Sequence, residues 1–208
     1  MTPESAELER LLTEIRKCRH CVGSSVRRPL PHEPRPVLRA SATARIGVCS
    51  QAPGTRVHAS GKPFTDPSGN RLREWMGVTP EEFYDERKVA IVPMGFCFPG
   101  QDAKGGDLPP RRECAGLWHE RVFDALPQLE LILVVGSYAQ NWHLKDAAGK
   151  TLQETMLAWR EHLDRGEGRR RYLPLPHPSW RNNAWLKRNL WFEEELLPVL
   201  RQEVRALL

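Results

Sequence analysis

The sequence predicts an α/β protein, a three-layer α/β/α sandwich around a central four-stranded parallel sheet. Short apolar runs that read as strands alternate with longer segments of helical periodicity. The runs are apolar at nearly every position, which is typical of parallel strands buried on both faces. The 208 residues also suit one compact domain with a substantial core. We therefore expect a single domain over residues 1–208, with a basic, proline-rich segment at residues 22–43.

The first half of the chain predicts two strands, at residues 44–50 and 89–92, and several helices. The first helix begins at Pro3, because proline is favoured at the first helical position. A second helix follows Ser68, a candidate N-cap, and ends at Gly77. Thr79 and Glu82 then form a capping-box pattern that predicts another helix start.

The second half predicts the remaining strands at residues 131–135 and 172–175, and a helix capped by Ser137. Longer helices are predicted at residues 110–126, 151–164 and 183–208, the last with a break near Pro198. In parallel sheets, ligands bind where the loops leave the carboxyl ends of the strands. This rule selects the loops at residues 51–67, 93–109 and 176–185.

Basic residues concentrate in two segments. Residues 16–45 carry eight basic side chains against one acidic, and residues 150–190 carry nine against four. The rest of the chain is net acidic, since the total formal charge is only +5. Such segments indicate a polyanion partner, with nucleic acid the leading candidate, although two solvated loops give the same pattern.

The chain lacks an apolar stretch long enough to span a membrane, and its first residues show no apolar signal core. We therefore expect a cytoplasmic, monomeric protein without a membrane partner. Cysteines in that compartment remain reduced, which favours metal ligation over disulfides.

Four cysteines have metal-ligand spacing. Cys18 and Cys21 form a C-x-x-C after the first helix, and sixteen residues separate Cys97 from Cys114. Two pairs of thiolates suit either a tetrahedral zinc ion or a [4Fe–4S] cluster, and spacing alone does not choose between them. Cys49 lies within a predicted strand and reads as an ordinary buried residue.

Three motifs then occur in order along the chain: G-V-C-S-Q-A-P-G at residues 47–54, G-K-P-F at residues 61–64 followed by Ser68-Gly69, and H-P-S at residues 177–179. With the cysteine pairs, they resemble the uracil-DNA glycosylase superfamily, specifically its iron–sulfur type 4 and type 5 families. The resemblance implies a DNA repair enzyme that hydrolyses the N-glycosidic bond of a deaminated base, and a [4Fe–4S] cluster on Cys18, Cys21, Cys97 and Cys114. Its partner would be DNA that contains a damaged or deaminated base.

The resemblance also implies residue roles. His177 would donate a hydrogen bond to the anionic base, Phe64 would stack on it, and the loop residues Ala52, Pro53 and Gly54 would line its site. Type 4 enzymes have a glutamate where this chain has Gln51, and an amide is no general base. Type 5 enzymes use an aspartate that matches Asp66, which would orient water. The alternative readings are a turn residue for Asp66 and for His177, and a core aromatic for Phe64.

Base discrimination departs from the family pattern, because Pro93 occupies the position where many members keep an asparagine. Asn70 and the backbone of Met94 and its neighbours are the candidate substitutes, which leaves uracil, hypoxanthine or xanthine as possible substrates. For the DNA itself, the loop after the histidine implies a wedge formed by Ser179, Trp180, Arg181 and Asn182. Candidate phosphate contacts, which could equally be solubilising charges, are Arg169, Arg170, Arg171, Lys187 and Arg188.

Two other functions remain open from the sequence. The first is a catalytically silent member of the fold that binds DNA, which Gln51 and Pro93 favour. The second is a nucleotide-binding α/β protein with structural zinc. Against the second, the loop after the first strand matches neither G-x-x-x-x-G-K-[ST] nor G-x-G-x-x-G.

Overall fold

A four-stranded parallel sheet forms the centre of the computed structural model, which describes residues 3–23, 29–165 and 170–208. Its strands lie in the order β2-β1-β3-β4 and are β1 (Ile46–Cys49), β2 (Val89–Ile91), β3 (Leu131–Val135) and β4 (Arg171–Leu175). The pairing is parallel throughout, with Val48 opposite both Ile91 and Leu133. The predicted fold class is confirmed.

Helices cover both faces of this sheet. In chain order they are α1 (Pro3–Arg16), α2 (His20–Gly23), α3 (Thr55–Ser60), α4 (Pro67–Met76), α5 (Pro80–Tyr84), α6 (Arg112–Asp124), α7 (Ser137–His143), α8 (Leu152–Leu157), α9 (Trp159–Asp164), α10 (Asn183–Arg188) and α11 (Leu197–Leu207). Short 3₁₀ turns occupy Lys145–Ala147 and Trp180–Asn182, and a π-helical turn at Phe192–Leu196 leads into α11. None of the described helices is long and apolar enough to cross a membrane.

The alternation of side chains along β3 divides the core in two. Ile132 and Val134 pack with residues of α1, α6 and α7, whereas Leu131, Leu133 and Val135 pack with residues of α4, α5, α8, α9 and α11. All five are fully buried. A strand that is apolar on both faces can be stable only between two helical layers, which is the physical reason for the sandwich.

Several element boundaries differ from the predictions. The N-cap of α4 is Asp66, not Ser68. Its carboxylate accepts a hydrogen bond from the Gly69 amide in the first turn of the helix. Ser137 is the first residue of α7 and makes no side-chain cap there. The helix predicted at residues 183–208 is interrupted after Arg188, where α10 ends. Regular α-helical geometry is also lost in the π-helical turn at Phe192–Leu196, just before Pro198, which lies in the first turn of α11.

Two helical segments also differ from the predictions, whereas one cap agrees. The helix predicted at residues 151–164 is divided at Ala158 into α8 and α9. The predicted loop at residues 51–67 contains the short helix α3. The capping box of Thr79 and Glu82 is confirmed.

The proline-rich segment follows the outer edge of β2. The Arg39 amide donates to the Ile91 carbonyl at 3.0 Å, and the Ile91 amide donates back to the Arg39 carbonyl at 2.7 Å. The two basic side chains of this segment that the structure describes both bond within the protein. Arg39 pairs with Glu86, and the Arg35 guanidinium donates to two carbonyl groups at the end of α3.

Two other basic residues of residues 16–45 also form ion pairs, whereas Arg16 and Lys17 are exposed, so part of the predicted polyanion surface is engaged within the protein. Arg19 forms an ion pair with Glu33, and Arg45 with Glu130. Arg27 and Arg28 lie outside the described residues.

Candidate active site

A cavity of about 690 Å³ opens at the carboxyl edge of the sheet. Each strand contributes a lining residue within two positions of its end: Gln51, Pro93, Gly136 and His177. The three loops selected from the sequence all line this cavity, hereafter the pocket. The parallel topology brings them together, because every strand ends at the same edge.

One wall of the pocket is the loop that follows β1. Ala52, Pro53 and Gly54 line it, and the Gly95 amide fixes its start by donating to the Gln51 carbonyl at 2.9 Å. The Gln51 side chain projects across Gly136 toward His177. A Cβ built on Gly136 would lie 3.5 Å from Gln51 Nε2 and 3.4 Å from the His177 Cβ.

Phe64 lies between the pocket and the core. Its φ of 55° is in the left-handed region, which costs free energy for a residue other than glycine. Its carbonyl oxygen accepts hydrogen bonds from Arg73 and Tyr84, which hold this conformation. The ring lines the pocket and also packs edge-on against Phe83, with centroids 5.7 Å apart. The sequence left a base-stacking ring and a core aromatic as alternatives for Phe64, and the residue both lines the pocket and packs in the core.

Asp66 is both a helix cap and a pocket residue. Its Oδ1 accepts the Gly69 amide at 3.1 Å and the Ser68 hydroxyl at 2.5 Å, which orients the carboxylate at the start of α4. The side chain is half-buried and lines the pocket. The cap thus holds the acid in place through Oδ1, and Oδ2 takes no part in the cap bonds.

His177 follows β4 and lines the pocket opposite Asp66. Burial lowers the pKa of its imidazole, and Arg181 lowers it further, whereas Asp66 and Asp107 act in the opposite direction. The net shift is downward, so His177 is predominantly neutral at pH 7. A neutral imidazole still has one N–H to donate. It carries no positive charge, so it needs no anionic partner when the substrate is absent.

The mouth of the pocket carries the predicted wedge. Trp180 is 74% exposed, which is unusual for a tryptophan that lies beside a pocket. The Arg181 guanidinium lies 5.9 Å from its ring centroid, and Ser179 also lines the mouth. Asn182 differs from the prediction in part, because its amide is already bonded to the His177 carbonyl.

Three charged residues of the pocket were missed by the sequence analysis: Arg56, Arg71 and Asp107. Arg71 Nη1 joins α4 to the loop after β4, by donating to Asn183 Oδ1 at 2.8 Å and to the Ser179 carbonyl at 3.4 Å. The signals were present: Arg56 follows the A-P-G motif closely, and Asp107 follows a pair of glycines in a loop selected by topology.

Comparison with protein families agrees with this geometry. A family model described as the uracil DNA glycosylase superfamily matches residues 37–201, which is most of the chain. The chain belongs to this superfamily. The matched range contains all three motif loops and every strand of the sheet. Membership supports a DNA glycosylase-like function in general, with DNA as the partner.

Two residues predicted to read the base in this superfamily member do not line the pocket. Asn70 is exposed on α4, where its side-chain oxygen accepts from Arg73 at 2.6 Å. Met94 is buried in the core, and its amide donates to the Ser50 carbonyl at 2.8 Å. The next two amides are also engaged, Gly95 with Gln51 and Phe96 with Cys114 Sγ. The backbone of residues 94–96 therefore has no amide left for a base.

The four predicted metal-ligating cysteines line one small cavity of about 20 Å³, away from the pocket. Burial raises the pKa of Cys97 to about 12 and raises that of Cys114 further. Among residues 3–23, 29–165 and 170–208, no group of three or more His, Cys, Asp or Glu side chains is arranged to hold a single metal ion. Cys49 is fully buried in β1, as predicted.

Two of the five predicted phosphate contacts, Arg170 and Arg171, bond to protein groups away from the pocket. Arg171 begins β4 and pairs with Glu203, so it lies at the opposite end of that strand from His177. Arg170 donates to the Phe123 carbonyl at 2.6 Å, at the end of α6. Arg169 lies outside the described residues. The exposed Lys187 and Arg188 are on α10, which directly follows the wedge.

Proposed function

We propose that this chain is a monofunctional DNA glycosylase that removes uracil or another deaminated base and leaves an abasic site. The observation that carries the proposal is the arrangement of Asp66, Phe64 and His177 around one pocket, with the exposed Trp180 at its mouth. Such a mouth suits a nucleotide that is rotated out of the duplex, since a wedge can fill the space that it leaves.

The chemistry follows from the charges that develop as the glycosidic bond breaks. The base leaves with the bonding electrons and becomes anionic, and the sugar becomes cationic. The His177 imidazole donates a hydrogen bond to the anionic base, while the ring of Phe64 stacks on it. The Asp66 carboxylate orients the attacking water and stabilises the sugar cation.

The substrate class is set by what the pocket lacks as well as by what it contains. Pro93 has no side-chain amide, and the amides of residues 94–96 are engaged within the protein. Gln51 supplies a side-chain amide at the floor of the pocket, beside His177. An amide both donates and accepts, so it can pair with a deaminated base of either ring size. We therefore propose uracil, hypoxanthine and xanthine as the bases to test.

The test is direct incubation of the pure protein with oligonucleotides that carry each base, in single and double strands. Alkaline cleavage reveals any abasic site. We expect cleavage with at least one base, and losses of roughly two to three orders of magnitude in the His177→Ala variant. Absence of cleavage with every substrate would contradict the glycosylase proposal. Retained binding in that case would support the silent, DNA-binding alternative, which the replacement of the type 4 glutamate by Gln51 favours.

We also propose that Cys18, Cys21, Cys97 and Cys114 hold a [4Fe–4S] cluster. The support for one shared cofactor is that all four thiols line one cavity, and the resemblance to the iron–sulfur families favours a cluster. The Phe96 amide, which donates to Cys114 Sγ at 3.3 Å, is the kind of hydrogen bond that stabilises a cluster thiolate. The cluster would anchor the C-x-x-C segment to α6, and zinc is the alternative.

A further inference from the structure

A second carboxylate lines the pocket, on the loop between β2 and α6. Gln101 and Asp107 form an isolated antiparallel bridge that closes a short hairpin. Within the turn, Asp102 Oδ1 accepts the amides of Lys104 at 2.8 Å and Gly106 at 2.9 Å. Gln101 Nε2 donates to Asp107 Oδ1 at 3.3 Å. The hairpin thus fixes the direction of the Asp107 side chain.

Asp107 faces the A-P-G loop across the pocket mouth. A Cβ built on Gly54 would lie only 3.0 Å from Asp107 Oδ2, so a side chain at position 54 would push the carboxylate away. Asp66 and Asp107 are held in the same way: in each carboxylate, Oδ1 accepts hydrogen bonds from other groups of the protein. Both carboxylates are close enough to act electrostatically on His177.

We propose that Asp107 is a second catalytic carboxylate, which stabilises the positive charge on the deoxyribose during base removal. This inference rests on the proposed function. The base enters the interior of the pocket, next to the buried Phe64, so the sugar remains near the mouth. Asp107 is exposed and lines that mouth, whereas a carboxylate beside the anionic base would oppose catalysis.

The step balances without proton transfer to Asp107. The electron pair of the C1′–N bond leaves with the base, which His177 stabilises. A water oxygen bonds to C1′, and its proton passes to Asp66. Asp107 contributes negative charge and a hydrogen-bond acceptor, and it emerges unchanged.

This role predicts opposite effects on affinity and on rate. Asp107 lies among groups that would meet DNA phosphates, so its charge opposes binding of the substrate before reaction. In the transition state the same charge faces a cation and becomes favourable. A residue that merely shapes the hairpin would not separate the two effects, because its loss would weaken binding and slow the reaction together.

The experiment compares Asp107→Asn with Asp102→Asn, using the oligonucleotide that the wild type cleaves best. We expect Asp107→Asn to slow single-turnover excision by about tenfold to a hundredfold and to bind the DNA more tightly at low salt. Asp102→Asn, which perturbs the same hairpin, should cause a smaller loss of rate.

The outcomes separate this inference from the proposed function. An active wild type whose Asp107→Asn variant excises as fast, or loses rate and affinity together, would overturn the role of Asp107 alone. A wild type that forms no abasic site would overturn both.

Discussion

Asn182 Nδ2 donates a hydrogen bond to the carbonyl oxygen of His177 at 2.7 Å. The two residues flank the wedge turn, so this bond closes the loop after β4 and fixes the backbone that carries the imidazole. Arg71 braces the same loop from α4 through the Ser179 carbonyl. We infer from this bond that Asn182, expected from the sequence to contact DNA, also positions His177.

Asn182→Asp should therefore slow excision without abolishing DNA binding. A carboxylate has no N–H to donate and would face the His177 carbonyl with like partial charge. Losing one hydrogen bond of about 1.4 kcal/mol corresponds to about a tenfold slower reaction. Single-turnover kinetics at saturating enzyme measure this loss, and Asn183→Asp in the same segment is the control for added charge. Equal rates in Asn182→Asp and the wild type would show that the bond does not position His177.

Gly69→Ala should be strongly destabilising. A Cβ on Gly69 would overlap the carbonyl oxygen of Phe64, which Arg73 and Tyr84 already hold. The backbone would have to move, at a cost of about 3 kcal/mol in the free energy of unfolding, the upper end for overpacking.

Gly116→Ala is the matched control for this variant, because a Cβ there meets no atom within 4 Å and the residue lies in the interior of α6. Alanine should stabilise that helix by about 0.5–1 kcal/mol. Urea unfolding compares the two variants. Similar changes in both would show that the approach of Gly69 to Phe64 imposes no constraint.

Protein purified without oxygen should be brown and contain about four irons per chain, if the four thiols hold the proposed cluster. Cys97→Ala should lose both iron and stability, because ligand binding is coupled to folding. Cys49→Ala, which alters a buried cysteine outside the cavity, should keep the colour. Iron and zinc analysis decides the matter: stoichiometric zinc without iron would establish the alternative.

The salt dependence of DNA binding should show which end of the sheet contacts the DNA phosphates. Arg56→Ala and Arg181→Ala, at the pocket mouth, should each reduce the slope of log affinity against log salt by about one. Arg170→Ala and Arg171→Ala should leave the slope unchanged, because those side chains bond to Phe123 and Glu203. Fluorescence anisotropy over a salt series measures the slopes, and the reverse pattern would place the DNA elsewhere.

Stability should decline in acid because two histidines, the buried His119 and the partly buried His143, are held in their neutral form. Burial lowers the pKa of His143 from 6.5 to about 3 and that of His119 to about 4. The unfolded chain therefore binds more protons below pH 6.5, and the stabilisation is complete above that pH and lost as the pH falls toward 3. Each residue contributes a slope of up to about 1.4 kcal/mol per pH unit.

His143→Phe should flatten this dependence between pH 6.5 and 4.5. Its Nε2 has no hydrogen-bond partner among the residues that the structure describes, and its ring already packs edge-on against Phe123, so phenylalanine suits the site. Urea unfolding at several pH values measures the slope. An unchanged slope in the variant would show that His143 is protonated in the native state.

The sequence by itself predicted the fold class and the location of the pocket. Runs such as residues 131–135 are apolar on both faces, and with helical segments between them this pattern favours a parallel sheet between helical layers. Parallel strands end at one edge, so the loops that carry Gln51, Asp66 and His177 had to meet there. The motifs of those loops were local, and they predicted the superfamily that the family comparison shows.

Only the tertiary structure decided which charges and amides are available to a ligand. Met94, Arg170 and Arg171 were all plausible from position, yet each is bonded to a residue distant in the chain. Asn70 is bonded within its own helix, to Arg73. The sequence did not indicate Asp107 as a site residue. Its place in the pocket is evident only from the structure, in which its carboxylate lies against Gly54. Sequence spacing determines which side chains a segment offers, but hydrogen-bond partners distant in the chain determine which of them remain free. Those partners are set by the packing of the whole fold.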